Sequence, residues 1–204
     1  MKLNEVARKI FVSRAVQWYS LGHREYHTFA HGLNVATDCN RFEPESDALW
    51  LAGLFHDAVY IAGSEHNEEM SAEALINNAR EFRWIGNDIE WADVETAADL
   101  IRKTTINDHM SPRPVTDPLL ATLLDCDLEP LRTLYFQDFV TNQKNILSEN
   151  FLDPLDRKNL ALSAAFLKKL YESRQWIYHT DYCRASWEYT ARRNISRFCL
   201  EYGV

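Results

Sequence analysis

Residues 46 to 60 read SDALWLAGLFHDAVY. The serine at the start suits a helix N-cap, and the residues from Asp47 to about Tyr60 are apolar nearly all round a helical projection. A helix of that kind lies inside a protein. It carries His56 and Asp57, and an aspartate in so apolar a helix is costly unless it is paired or bound to a cation. The stretch therefore predicts a central helix that holds a buried polar pair.

The rest of the chain shows the same helical periodicity. Only six Gly and six Pro occur in 204 residues, which argues against a β-sandwich and favours long helices with short loops. We predict an all-α fold, a single-domain helical bundle over residues 1–204. The further helices are expected from Leu3 to Tyr19, after a cap at Thr28, after Gly63-Ser64, from Ile89 to Lys103 with Asp88 as cap, and over 119–134, 137–147, 154–170 and 180–202. The proline-bearing segment from Thr105 to Pro118 is the longest predicted loop.

Composition and charge narrow the class of protein. The formal net charge of −8 disfavours nonspecific binding to nucleic acid or to an anionic membrane. No apolar run is long enough to span a bilayer, and the N-terminus lacks the apolar core of a signal peptide. We therefore expect a cytoplasmic protein that binds neither membrane nor bulk nucleic acid. Its oligomeric state is open, a homo-oligomer included.

Three short segments carry the residues of a metal site. They are YHTFAH at 26–31, LFHD at 54–57 and LDCDL at 124–128. Imidazoles and carboxylates are the usual ligands of Zn, Mn, Fe, Co and Ni, and facing helices of a bundle can each contribute one. The alternative is a His-Asp hydrogen bond that satisfies both groups without a metal. The residues alone leave these two interpretations equally open.

The order of these motifs resembles the HD-domain superfamily of metal-dependent phosphohydrolases, in its small single-domain branch with Y-H-x-x-x-H, H-D and D-x-D-L. The resemblance spans about Tyr19 to Leu200. It implies one divalent ion per chain (Mn, Co, Fe, Ni, Zn or Mg), held by His31, His56, Asp57 and Asp127. His27 and Asp125 are the alternatives within their motifs, and the family pattern favours His31 and Asp127. Asp125 would then orient a ligand histidine. Some members bind two metals, but only His66 and His109 lie in the interval where the extra histidines would stand.

The same resemblance implies an activity, namely hydrolysis of a phosphorylated small molecule by metal-activated water. The expected substrate is a nucleotide or deoxynucleotide: a dNTP, an NMP or a cyclic nucleotide. Asp57, Glu68 and Glu69 are the candidate catalytic residues, although the two glutamates would equally suit a helix N-terminus. The candidate substrate-binding residues are Arg24, His27, Lys103, His109 and Arg192, and each cation could equally be a surface charge.

Two further functions are compatible with the sequence. The first is a metal-dependent oxygenase or lyase of the HD type, which would need a two-iron site that the few intervening histidines disfavour. The second is a noncatalytic module that binds a nucleotide or a partner protein and keeps the residues of the site. The metal content of the purified protein would separate the enzymes from the binding module.

Overall fold

The computed structural model describes residues 2–85 and 88–203. Every regular element in these two ranges is a helix, which confirms the all-α prediction. The chain divides into two compact units, unit 1 over residues 1–105 and unit 2 over residues 106–204. The single domain expected over residues 1–204 stays a prediction. Among the described residues, no helix combines the length and the apolar character needed to cross a membrane.

Unit 1 consists of five α-helices among its described residues. They are α1 (Glu5–Tyr19), α2 (Phe29–Phe42), α3 (Asp47–Phe55), α4 (Asn67–Trp84) and α5 (Trp91–Arg102). All nine residues of α3 are buried, and this helix packs against each of the other four. The predicted central helix is therefore confirmed, and His56 and Asp57 directly follow it.

The predicted starts of α2 and α3 are confirmed. The side chains of Thr28 and Ser46 accept hydrogen bonds from the amides of His31 and Leu49, three residues later in each case. Such a bond satisfies an amide that has no partner inside the helix. Both starts depend on local contacts, and for that reason the sequence alone could predict them.

The starts of α4 and α5 differ from the prediction. Helix α4 begins at Asn67 rather than at Gly63-Ser64, because the Asn67 side chain bonds both the N–H and the C=O of Ile61 and closes a turn before the helix. Helix α5 begins at Trp91, after Glu90, so Asp88 is not its cap.

The end of α3 also differs, since the helix stops at Phe55 rather than near Tyr60. The guanidinium of Arg24 donates to the carbonyl oxygens of Asp57 and Ala58. The Ser71 hydroxyl accepts from the N–H of Val59 and donates to its C=O. These side chains take up backbone groups that a longer helix would have bonded internally, so His56 and Asp57 lie in the turn that follows α3.

Unit 2 contains the remaining described helices. They are α6 (Ile106–His109), α7 (Pro118–Asp127), a 3₁₀ helix (Glu129–Arg132), α8 (Phe136–Glu149), α9 (Arg157–Ser173) and α10 (Asp181–Tyr202). Helix α10 packs against α8, α9 and the 3₁₀ helix. Its predicted extent, 180–202, is confirmed to within one residue, and the Thr180 side chain caps the helix by accepting from the amide of Cys183.

Three boundaries in unit 2 correct the prediction. The helix expected to reach Leu134 ends at Asp127, and Pro130, which has no N–H to donate, lies in the 3₁₀ helix that follows. Helix α9 begins at Arg157 with Asp156 as its cap, so Pro154 precedes it. The loop expected over 105–118 contains the short helix α6.

Candidate metal centre

Three residues of unit 1 could hold a metal ion through the chemistry of their side chains: His31, His56 and Asp57. Their ligand atoms lie within 4.8 Å of one another. The Oδ2 atom of Asp57 lies 2.9 Å from Nε2 of His56 and 3.7 Å from Nε2 of His31. The two histidine Nε2 atoms are 3.3 Å apart. Both histidines are buried, so three donor atoms converge in a place with little water.

Each donor of this cluster is positioned by the end of a helix. His31 is the third residue of α2, and its amide donates a hydrogen bond to the Thr28 side chain that caps this helix. His56 directly follows α3, and its Nδ1 lies 2.8 Å from the carbonyl oxygen of Gly53. The start of one helix and the end of another thus meet at Asp57, which fits the close packing of α2 on α3.

The hydrogen bond to Gly53 decides what His56 presents to its neighbours. A carbonyl oxygen only accepts, so Nδ1 of His56 carries a proton, and in the neutral ring Nε2 then carries a lone pair. That lone pair faces the Asp57 carboxylate, which also only accepts, at 2.9 Å. Two acceptors at this distance repel each other unless a positive charge lies between them. Either a proton on Nε2 or a bound cation supplies that charge.

The distances among the three donors suit a single metal ion. With metal–ligand bonds of about 2.1 Å, two ligand atoms are roughly 3.0 to 3.6 Å apart for angles between about 90° and 120°. The observed separations of 2.9, 3.3 and 3.7 Å fall close to this range. A carbonyl that fixes the second nitrogen of a ligand histidine is also the usual support of such a site. The residues of unit 1 therefore fit a divalent metal.

Tyr19 lies next to this cluster. Its hydroxyl donates to the carbonyl oxygen of Leu54 at 3.2 Å. Burial raises the pKa of Tyr19, the charge of His56 opposes that rise, and the phenol stays a neutral donor. Gly32 on α2 leaves the space that the hydroxyl occupies, because a Cβ atom there would overlap the phenol oxygen.

Two of the predicted substrate-binding residues lie beside these donors in unit 1. The three nitrogens of the Arg24 guanidinium donate to backbone carbonyl oxygens, those of His27 and Asp57 among them. The His27 ring stacks on Tyr60 with 4.2 Å between ring centroids, and Tyr26 lies 5.1 Å from the His31 ring. A role in substrate binding stays a prediction for both Arg24 and His27.

In unit 2, Asp127 ends α7 and its Oδ2 lies 3.0 Å from Nε2 of His109. His109 is buried, and its Nδ1 has no hydrogen-bond partner. The structure therefore pairs a predicted metal ligand with a predicted substrate-binding residue. The predicted role of His109 toward a phosphate stays a prediction.

The contacts of Asp125 differ from those of a carboxylate that orients a ligand histidine. Its carboxylate accepts from the amides of His179 and Thr180, at 2.6 and 2.8 Å, and from the Thr180 hydroxyl at 2.8 Å. Burial raises the pKa of Asp125, and these hydrogen bonds oppose that rise. Asp125 thus anchors the start of α10 to α7, and within unit 2 it accepts from backbone, hydroxyl and thiol groups.

The segment before α10 is held by polar groups that the sequence did not reveal as important. Buried Glu188 accepts from the amides of Ile177 and Tyr178. His179 accepts through Nε2 from Arg174 at 2.7 Å. Burial and then the positive charge of Arg174 lower the pKa of His179 to about 3. No local pattern marks these residues, since their partners are distant in sequence or lie in an irregular turn.

Two more candidates, Arg192 and Glu69, form ion pairs with other side chains. Arg192 donates to Glu188 at 2.5 Å and to the Gln175 carbonyl at 2.6 Å. Glu69 forms a two-fold ion pair with Arg102, and the hydrogen bonds from that guanidinium lower the pKa of the carboxyl. Their predicted roles in substrate binding and catalysis stay predictions.

Three other candidates lie at helix termini in unit 1. Glu68 is half-buried in the first turn of α4, Lys103 is exposed directly after α5, and His66 is exposed directly before α4. His66 is therefore not part of the cluster in unit 1.

Comparison with protein families, with curated proteins and with solved structures found no match to this chain. What the molecule itself provides is an all-helical chain with a histidine and aspartate cluster that could hold a metal ion. These two properties are compatible with an HD-type domain.

Proposed function

We propose that this chain is a metal-dependent phosphohydrolase of the HD type that acts on a nucleotide or deoxynucleotide. The observation that carries the proposal is the convergence of His31 and His56 on Asp57, in which a histidine lone pair faces a carboxylate. A buried arrangement of this kind calls for a positive charge between the two groups, and in this proposal a divalent cation supplies it. The choice of a phosphate ester as the bond to be cut rests on the resemblance of the motifs to the HD superfamily.

We further propose Asp127 as the fourth ligand. Its position in the D-x-D-L motif supports this choice, and so does the engagement of Asp125 with the start of α10, which leaves that carboxylate committed elsewhere. A divalent cation in such a site lowers the pKa of a bound water and polarises a phosphoryl oxygen. In this proposal His31 and His56 contribute neutral donors, and Asp57 and Asp127 contribute the negative charge.

Among the candidate catalytic residues, Glu68 and Asp57 are favoured over Glu69 as proton acceptor. Glu69 is held by Arg102, and its lowered pKa makes it the weaker base. Glu68 is half-buried in the same helical turn and shares no ion pair with Arg102. Replacement of Glu69 by Gln should therefore reduce turnover less than replacement of Glu68 by Gln.

Metal analysis followed by a substrate panel tests the proposal. The purified protein should contain or take up one divalent ion per chain, and with Mn²⁺ or Co²⁺ it should release phosphate from at least one dNTP, NMP or cyclic nucleotide. His56→Ala and Asp57→Ala should abolish both properties, whereas His66→Ala, which replaces an exposed histidine, should change neither. Full activity in a folded His56→Ala/Asp57→Ala double variant would refute the assignment.

The same experiment distinguishes the alternatives. A protein that binds one ion, binds nucleotides and hydrolyses none of them would be the noncatalytic module. A chain that retains two iron ions and consumes oxygen would be the oxygenase. Neither outcome is favoured by a specific contact in the described residues.

A further inference from the structure

Arg24 connects three segments of unit 1 that surround the metal donors. Its Nε donates to the carbonyl oxygen of Leu21, and Nη1 donates to those of His27 and Asp57, at 3.0 and 2.7 Å. Its Nη2 donates to the carbonyl oxygen of Ala58 at 2.9 Å. The guanidinium also lies over the Tyr19 ring, 5.0 Å from its centroid. One side chain therefore holds the loop before α2, the turn after α3 and the end of α1.

Two of the contacts of Arg24 hold the backbone at Asp57, whose carboxylate is one of the three donors. Helix α3 ends at Phe55, so Asp57 has no place in a helical hydrogen-bond ladder to fix its backbone. The Arg24 bonds to the carbonyls of Asp57 and Ala58 supply that constraint. The bond to the His27 carbonyl fixes the segment that leads to the Thr28 cap and His31. Arg24 thus sets the relative position of two donors while providing no ligand itself.

We propose that Arg24 is a positioning residue of the metal site, one that aligns Asp57 with His31 through backbone carbonyls rather than by contact with a substrate phosphate. The inference rests on the proposed function, because it concerns the same cation site. A lysine could not replace it, since a single ammonium cannot reach carbonyls of three segments as the planar guanidinium fork does.

The charge of Arg24, taken alone, predicts the opposite change in metal affinity when this residue is replaced. A positive charge near a cation site opposes the binding of a cation, so removal of that charge should tighten binding. If positioning dominates, removal should instead weaken binding, by about 10- to 100-fold as for other residues that orient metal ligands. The direction of the change in affinity therefore separates the two roles.

The test compares Arg24→Gln and Arg24→Lys with the wild type by titration with Co²⁺. The control is Arg14→Gln, because Arg14 also belongs to unit 1 and pairs with a backbone carbonyl and a carboxylate, those of Asn78 and Glu81. We expect weaker Co²⁺ binding and an altered visible spectrum of the bound ion in both Arg24 variants, and no change in the control. Arg24→Lys keeps the charge and serves as the informative variant if Arg24→Gln does not fold.

Hydrogen exchange of the metal-free proteins provides a second readout. We expect faster exchange in the Arg24 variants at residues 54–60, where the amides of Ala58 and Val59 are hydrogen-bonded, with α1 and α4 unchanged. Equal or tighter Co²⁺ binding with an unchanged spectrum in Arg24→Lys would overturn the inference and leave the proposed function intact. If the wild type binds no divalent ion, the proposed function fails, and local exchange at 54–60 decides whether Arg24 positions that turn.

Discussion

The backbone of Ala36 on α2 lies so close to Gly53 on α3 that a Cβ atom at Gly53 would be 2.9 Å from both the nitrogen and the Cα of Ala36. Backbone atoms cannot rotate away as a side chain can, so Gly53→Ala should force the two helices apart. We expect a loss of roughly 1 to 3 kcal/mol in the free energy of unfolding, measured by urea denaturation.

Gly53 also provides the carbonyl that bonds His56, so the same variant should bind a divalent ion more weakly. Glu73→Ala, at an exposed position on α4, is the control and should leave both stability and ion binding unchanged. An unchanged urea midpoint for Gly53→Ala would show that α2 and α3 pack less closely than described.

Tyr19→Phe removes a buried hydroxyl that donates to the carbonyl of Leu54. We expect the free energy of unfolding to fall by about 1 kcal/mol, because the carbonyl loses its hydrogen bond and no water reaches it. Tyr189→Phe, which alters a phenol that is 80% exposed, should have almost no effect on urea denaturation. Equal stability of the two variants would contradict the role given to the Tyr19 hydroxyl.

Asp125→Asn and Asp127→Asn should have different consequences. Asp125 accepts three hydrogen bonds at the start of α10, so its replacement should destabilise the protein by roughly 1 to 3 kcal/mol. Asp127→Asn should instead abolish tight ion binding with a smaller loss of stability. Calorimetric titration with Mn²⁺ and urea denaturation of both variants measure the difference, and a reversed pattern would exchange the roles of the two aspartates.

His179 makes stability depend on pH. In the unfolded chain its imidazole takes up a proton below about pH 6.5, whereas in the folded protein its pKa is about 3. The unfolded state thus binds more protons between these values, and stability falls as the pH is lowered from about 6.5 toward 3. His179→Gln keeps an acceptor for Arg174 but does not titrate, so its stability should fall less steeply.

Urea midpoints of the wild type and His179→Gln between pH 4.5 and pH 7 measure this difference. The carboxylates that titrate at the lower end of the range are the same in both proteins, so they cancel in the comparison. Parallel curves for the two proteins would show that His179 takes up its proton equally well in the folded state.

The parts of the fold that the sequence predicted are those determined by local contacts. Thr28, Ser46 and Thr180 cap helices through amides three residues away, and the apolar run after Ser46 specifies a buried helix by itself. The motifs also singled out His31, His56 and Asp57, which lie together in unit 1 although they come from two different helix ends.

The parts that the sequence did not predict depend on partners distant along the chain. Helix α3 ends early because Arg24 and Ser71 bond the turn that follows it. The motif predicts Asp125 as a support for a ligand histidine, yet its buried carboxylate accepts from backbone amides at the start of α10. Periodicity identifies which residues are buried, but it does not tell which distant group each buried polar atom will bond.

The hydrogen bond from His56 to the Gly53 carbonyl has a further consequence for the exchange of ions with solution. Because one ring nitrogen keeps its proton, a hydrogen ion and a metal ion compete for the single lone pair that remains. Loading of the site is then a displacement, in which the entry of each metal ion into a protonated site releases a proton to the buffer. Acidification would therefore weaken metal binding, and the heat of loading would vary with the ionisation enthalpy of the buffer.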